Sequence, residues 1–201
     1  MPGTLTAKGA ATRQRIVEGA AAEIRDRGVL ATTLDDVRAR TATSKSQLFH
    51  YFPGGKEDLL LAVAELEAAR VISVQQPHLG DLTSWPAWEA WRERVLDHYR
   101  EQGRRCPLNV VTSQLGRSTP GAQAVVTELI AIWQGEIATG IRHMQASGEI
   151  ATDVDPNRSA AALVAGIQGG VLIMLSTGGL GHLEAALGAG IDALRRSRRS
   201  R

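Results

Sequence analysis

Between Thr41 and Leu60 the chain reads TATSKSQLFHYFPGGKEDLL. Ser44, Lys45, Ser46, Gln47, His50 and Tyr51 crowd hydroxyls, an ammonium, an amide, an imidazole and a phenol into one helix-sized piece. No base stands beside a nucleophile here, and no metal-ligand spacing is present. Such groups suit a different task. Lys, Ser, His and Tyr donate to phosphate oxygens, and Gln can pair with adenine N6 and N7. Ser44, at the start of the segment, can cap a helix whose free N–H groups face an anion. The chemistry is that of a surface that reads a nucleic acid.

Helices must position these groups. No stretch alternates apolar and polar residues between hairpin turns. Ile16, Ala20 and Ile24 recur at helical spacing, which predicts a first helix over Thr12–Arg27, closed by Gly28. Thr33 caps a short second helix, Leu34–Arg40, with Asp35 and Asp36 in its first turn. After a tight turn at Thr41–Thr43, Ser44 caps a third, Lys45–Phe52, with Leu48, Phe49 and Phe52 on its apolar side. Pro53-Gly54-Gly55 stops it, and Lys56 opens a fourth. Three short helices with a tight turn between the last two describe a helix-turn-helix unit.

Residues Thr33–Leu60, TLDDVRARTATSKSQLFHYFPGGKEDLL, resemble the DNA-binding region of the TetR family of bacterial transcriptional regulators. The resemblance covers about residues 10–65; beyond them only helix number, length and order match. It implies that Thr33 and Ser44 bind phosphate at helix starts. Lys45, Ser46, Gln47 and His50 would face the major groove, Tyr51 would reach a phosphate or base edge, and Lys56 would donate to the DNA backbone. Three positions depart from the family pattern. Phe49 replaces a frequent tyrosine. Ala42 stands where the turn often has glycine, which argues against a positive φ there. The Pro-Gly-Gly-Lys connection is one residue longer than the usual form and resembles the branch containing the LmrA and YxaF regulators.

Charge agrees with this division. The 201-residue chain carries a net charge of +2, but residues 1–56 hold nine Lys/Arg against five Asp/Glu. Residues 57–194 hold nine against sixteen, and the tail from Arg195 adds five arginines. A basic head on an acidic body places a polyanion at the head alone. One cysteine, Cys106, excludes an internal disulfide and a multi-cysteine zinc site. Arg104 and Arg105 precede it and would lower a thiol pKa, although a small loop residue is the plainer reading. The N-terminus lacks an apolar signal region, so a cytoplasmic protein is expected. Ala160–Leu175 is strongly apolar, yet shorter than a membrane span and interrupted by Gln168, which predicts a buried or interface helix.

The body reads as further helices. They are expected at Pro86–Glu101, near Asn109–Leu115 after a Gly103–Pro107 loop, and at Gly121–Ala146. Another runs from a cap at Asp155 to Thr177, and a last one covers His182–Arg195. The expected fold is all-α: residues 1–55 a helix-turn-helix domain, 56–195 a helical ligand-binding and dimerisation domain, and 196–201 a disordered basic tail. Gly166, Gly169 and Gly170 permit close helix approach. Leu163, Gly166, Ile167, Gly170, Val171 and Met174 on one helix, with Leu183, Leu187, Ile191 and Leu194 on the next, form stripes suited to a two-fold four-helix interface. Trp88, Trp91, Tyr99, Gln114, Trp133, His143, Met144 and Gln168 are candidates to line a ligand pocket, although aromatic and methionine residues at such spacing equally build core.

The expected activity is that of a non-enzymatic, ligand-responsive repressor. Its partners would be double-stranded DNA, a second copy of the chain and a small molecule, with no cofactor, metal or membrane. An activator or ligand-independent regulator is the alternative, and a helical carrier or enzyme a more distant one.

Overall fold

The computed structural model describes residues 6–103 and 119–198. Among them are eight α-helices and no strand. These are α1 (Ala7–Arg27), α2 (Leu34–Thr41), α3 (Lys45–Tyr51), α4 (Lys56–Ser73), α5 (Trp85–Gln102), α6 (Pro120–Ala146), α7 (Pro156–Thr177) and α8 (Gly181–Ser197). A 3₁₀ turn, His78–Asp81, stands in the Gly/Pro break before α5. Cys106, Gln114 and the expected loop and helix around them lie outside the described residues.

Two compact units emerge. Residues 6–70 and 119–126 form one, and residues 71–103 and 127–198 the other. The division falls inside α4, at Arg70/Val71, rather than at its start.

In the first unit, local chemistry sets each helix end. The Gly28 N–H closes α1 onto the Ile24 carbonyl at 2.8 Å, with φ 82°. Thr33 and Asp36 form a reciprocal capping box at α2. Ser44 caps α3 by accepting from the Gln47 N–H at 3.1 Å. The core gathers Ile16, Ala20 and Ile24 of α1, Val37 of α2, Phe52, and Leu59 and Val63 of α4. Leu48 of α3 is also fully buried.

The approach of α1 to α2 is close. A Cβ on Gly19 would stand 2.2 Å from Thr41 Cγ2, so glycine is required there. The Thr41 hydroxyl donates to the Val37 carbonyl at 2.7 Å and lies 2.8 Å from the Thr43 hydroxyl. Two cations hold the ends of α2. Arg15 of α1 donates to the Thr41 carbonyl. Lys56 of α4 donates to the carbonyls of Val29, at 3.1 Å, and Thr32, at 2.6 Å. Buried Glu67 of α4 accepts from Arg25 of α1 at 2.6 Å.

Two local expectations are corrected. Ala42 does adopt a left-handed conformation, φ 48° and ψ 44°. The turn demands it, because the Thr43 N–H returns to the Arg38 carbonyl at 3.0 Å, the closure of a helix by a left-handed residue. Phe49, expected on the apolar side, is 40% exposed, and α3 ends at Tyr51 with Phe52 as its cap.

In the second unit, α5 carries the tryptophans. Trp88 and Trp91 are fully buried and meet edge to face at 5.9 Å and 89°. Trp88 Nε1 donates to the Leu82 carbonyl at 3.2 Å, and Trp91 Nε1 to Gln75 Oε1 at 2.9 Å. Trp85 Nε1 donates to Glu149, and the Arg195 guanidinium lies over the Trp85 ring.

Asp155 caps α7, with Pro156 in its first turn, and Gly178 ends it. Both α6 and α7 are long and apolar enough to cross a membrane by length and composition. Each also turns a stripe inward: Leu129, Trp133, Ile137, Ile141 and Met144 on α6, and Leu163, Ile167, Val171 and Met174 on α7.

The stripes expected to meet a second subunit are consumed within the chain. Leu163, Ile167, Gly170, Val171 and Met174 of α7 and Leu183, Leu187, Ile191 and Leu194 of α8 are all buried. A Cβ on Gly170 would come within 2.6 Å of Leu183 Cα, so α8 occupies this face of α7 at backbone contact. Gly166, half-buried, faces Ala186 of α8, whereas Gly169 meets nothing. The last helix runs further than expected. Arg196 and Ser197 are helical, and Arg198 pairs with Glu149 at 2.7 Å.

Two predictions follow from the capping chemistry of α2. A left-handed alanine costs about 1 kcal/mol, so Ala42→Gly should raise thermal stability by about that amount, read from a melting curve. The Thr33 hydroxyl and N–H, with the Arg27 guanidinium, hold the Asp36 carboxyl down from 3.8 to about 2. Because the folded value is the lower one, this stabilisation is complete above pH 3.8 and is lost as pH falls through about 2. Urea melts of wild type and Asp36→Asn should therefore differ at pH 5 and converge as the pH approaches that lower value.

Candidate nucleic-acid interface

Helix α3 is anchored by one residue and open around the rest. Leu48 points into the core, while Ser44, Lys45, Ser46, Gln47 and His50 are exposed. Seven residues suffice because Ser44 satisfies the Gln47 N–H and the Phe52 N–H returns to the Leu48 carbonyl at 2.9 Å. Capping uses the Ser44 oxygen as an acceptor and leaves its proton for an outside acceptor.

Tyr51 is half-buried and packs against the core of the first unit. Its ring meets His50 edge to face at 4.8 Å and 74°, which orients the imidazole. The phenol is therefore a packed group with a polar tip rather than a free surface side chain.

The other two expected contacts are engaged internally. The Thr33 hydroxyl accepts from the Asp36 N–H at 3.2 Å and lies 2.6 Å from Asp36 Oδ2. Its proton faces a carboxylate, which also repels phosphate. Lys56 spends two of its three donors on the Val29 and Thr32 carbonyls.

Ion pairing decides where the positive charge of this unit remains. Arg25 pairs with Glu67, Arg27 with Asp36, Arg38 with Asp35, and Arg40 with Asp26 and Glu23. Among the described residues Lys8, Arg13, Arg15, Lys45 and Lys56 have no carboxylate partner. Arg15 and Lys56 serve backbone carbonyls, and Arg13 lies over the Phe52 ring at 5.3 Å. Lys45, at the first position of α3, thus offers its charge outward beside Ser44, Ser46 and Gln47.

An open depression adjoins Ser44, lined by Asp35, Arg38, Ala39, Ala42 and Thr43. Sequence reasoning did not include Arg38. The available signal was its place one helical turn before Ala42, on the face that leads into the turn.

The described residues expected around a ligand stand on α5, α6 and α7. Trp88, Trp91, Trp133 and Met144 are fully buried, and Tyr99 nearly so. His143 is exposed, because the inward stripe of α6 passes through Ile141 and Met144 and turns His143 to the outside. A small cleft of about 220 Å³ is lined by Tyr99, Arg100, Gly103, Met174, Gly178 and Leu180, so Tyr99 alone of the expected set reaches it.

Comparison with known proteins follows this geometry. The family described as bacterial regulatory proteins, tetR family, matches residues 16–63, and the tetracyclin repressor-like C-terminal domain matches residues 87–189. A helix-turn-helix-type transcriptional regulator of Mycobacterium tuberculosis is 30% identical over 110 residues, 52% of this chain and 53% of that protein. The chain thus matches about half the length of this relative. The crystal structure of a TetR-family regulator from Cytophaga hutchinsonii has a TM-score of 0.81 at 21% identity, covering 95% of this chain and 96% of that one. The complex of SmeT with triclosan has a TM-score of 0.72 at 19% identity, covering 91% of each chain. SmeT is described as the repressor of the Stenotrophomonas maltophilia multidrug efflux pump SmeDEF. An outward-facing α3 on a capped three-helix unit, together with family matches on both parts of the chain, shows that this protein belongs to the TetR family of bacterial transcriptional regulators, whose members bind DNA through a helix-turn-helix and are not enzymes.

Proposed function

We propose that this regulator is a repressor that binds a palindromic operator as a homodimer and lets go when a small molecule binds its second unit. The observation that carries the reading is the open face of α3, where Ser44, Lys45, Ser46, Gln47 and His50 stand exposed on a helix fixed by Leu48. In this reading Ser44 and Lys45 hold phosphates and set register, while Gln47 and His50 meet base edges in the major groove. Tyr51 lends its hydroxyl to a phosphate. Thr33 and Lys56 shape the turn and are not contacts. The protein would act in the cytoplasm, where its DNA is.

The dimer face lies opposite the α7–α8 contact. Ala162, Ala165, Gly169, Leu172 and Ile173 recur at helical spacing on the exposed side of α7, with Leu172 57% and Ile173 37% exposed. Ala185, Ala189 and Ala193 continue an open face of small residues on α8. Small residues flanking two large apolar ones suit a second copy packed as a four-helix bundle. Two heads related by a two-fold axis would then meet half-sites about 34–36 Å apart.

Release requires a ligand that prefers the state in which the two heads no longer match the half-sites. The SmeT–triclosan complex supports a small-molecule site in a protein of this fold.

Selection of binding sites from fragments of the source genome, at two salt concentrations, tests the reading. Recovery of one palindrome at both concentrations, with repression of the adjoining promoter in a reporter, is the expected result. Unselective, salt-sensitive binding would overturn it, and activation of the reporter would replace repression.

Two lysines should separate by role. Lys45→Ala should weaken operator binding and reduce its salt dependence by about one counterion per subunit, with the melting temperature unchanged. Lys56→Met should instead lower stability by about 2 kcal/mol, through the loss of charged donors to two carbonyls, and leave the salt dependence as it is. Tyr51→Phe, rather than a truncation that opens the core, isolates the hydroxyl. For the dimer, Leu172→Glu should shift the protein toward monomer in sedimentation velocity and weaken operator binding, while the helical content stays the same.

A further inference from the structure

The reading face does not stop at α3. The side of α2 away from buried Val37 and Thr41 carries Asp35, Arg38, Ala39 and Ala42 at helical spacing. With Thr43 and Ser44 these residues line one open depression of about 520 Å³. Ser44 also begins the exposed face of α3, so the depression extends that face onto α2. Ala39 and Ala42 have no side chain beyond Cβ, which leaves the space beside Arg38 open.

Two contacts orient the Arg38 guanidinium. Its Nε donates to the Thr43 carbonyl at 3.4 Å, and its Nη1 donates to Asp35 Oδ1 at 2.6 Å. A guanidinium carries five N–H groups, and among the described residues these two contacts use two of them. Ser44 lines the same depression, and its hydroxyl proton is left for an outside acceptor. Donors from α2 and from the start of α3 therefore share one open space.

The partner of Arg38 is the one most easily exchanged. The Asp35 side chain is 86% exposed. The carboxylates that hold Arg25, Arg27 and Arg40 are at most 39% exposed. An ion pair in full contact with water contributes little stability, because solvent screens it and two long side chains must be ordered to make it. A phosphate offers the fork the same bidentate match that a carboxylate does, and it stays in place when the protein sits on a duplex.

We propose that Arg38 is a further DNA contact, which exchanges Asp35 for a backbone phosphate seated in this depression. The Thr43 carbonyl keeps the stem of the side chain in place while the outer end of the fork turns to the phosphate. The Ser44 hydroxyl donates to the same group. Asp35 competes for the fork and repels the phosphate, so it restrains affinity. The proposal adds α2 to the interface and rests on the reading of α3 as the helix that faces DNA.

Fluorescence anisotropy of the full chain on labelled DNA tests it, with titrations at several salt concentrations. The probe is the palindromic fragment recovered by genomic selection. A duplex of random sequence serves if none is recovered, since a phosphate contact needs no particular base. Arg38→Gln should weaken binding about ten-fold or more and lower the salt dependence by about one counterion per subunit, with unchanged helical content. Asp35→Asn should tighten binding about three-fold, and the gain should shrink when Arg38→Gln is also present, because no fork is left to release. Wild-type binding by Arg38→Gln would overturn the proposal. So would weaker binding at an unchanged salt dependence, which would make Arg38 a support of the turn through Thr43. If Arg38→Gln does not fold, Asp35→Asn decides alone, and unchanged or weaker binding overturns the assignment. Lys45→Ala separates this contact from the wider reading. A loss with Lys45→Ala and none with Arg38→Gln removes the α2 contact only, whereas no loss with either removes α3 as the interface and this contact with it.

Discussion

The position of α3 depends on how the ends of α2 are held. A short helix of eight residues cannot fix its neighbour by propensity alone. Here a cation reaches in at each end. Arg15 meets the Thr41 carbonyl at the C-terminal end, where the helix dipole favours positive charge. Lys56 ties the Val29 and Thr32 carbonyls of the loop that leads into α2. Arg15 belongs to α1 and Lys56 to α4, so three helices are joined through groups that would otherwise stay unsatisfied. The Gly19–Thr41 approach between α1 and α2 leaves no room for a Cβ. With α2 fixed, the left-handed Ala42 turn aims α3 outward.

The same economy sorts the charges. The five acidic residues of the first 56 include four that neutralise Arg27, Arg38 and Arg40 within the unit. Lys56, a lysine whose place beside the Pro-Gly-Gly turn invites a phosphate contact, is spent on carbonyls. What remains at α3 is Lys45 with its hydroxyl and amide neighbours. On the proposed reading, affinity for a polyanion comes from few cations at α3, and discrimination falls to neutral donors that can read base edges.

How much of this was legible in sequence follows from the range of each interaction. Thr33, Ser44, Asp155 with Pro156, Gly28 and Gly178 were readable because a cap acts on N–H or C=O groups two to four residues away. The spacing of Leu48 and Phe52 gave the buried side of α3 for the same reason. Lys56 was not readable, since its partners lie 24 and 27 residues earlier and are brought close only by tertiary packing. Ala42 failed because propensity yielded to the closure of α2 onto Arg38. The stripes of α7 and α8 were correctly apolar, but periodicity reports that a face is buried and not against what. Glycine spacing marked close contact, which Gly170 makes with Leu183 in the same chain.

Among the described residues, the two units differ in the kind of polar group they leave enclosed and unpaired, which in the first is one carboxylate oxygen, Glu67 Oε2. In the first, carbonyls, hydroxyls and cations are matched by one another around α2, as a surface that must present one geometry to a double helix requires. In the second, three enclosed donors remain on α5, α6 and α7 while the tryptophan N–H groups of α5 are satisfied. A fold that can pair Trp88 with Leu82 and Trp91 with Gln75 has the means to pair Trp133 as well. An unpaired donor of that kind costs free energy that the apolar packing of the surrounding stripe has to offset.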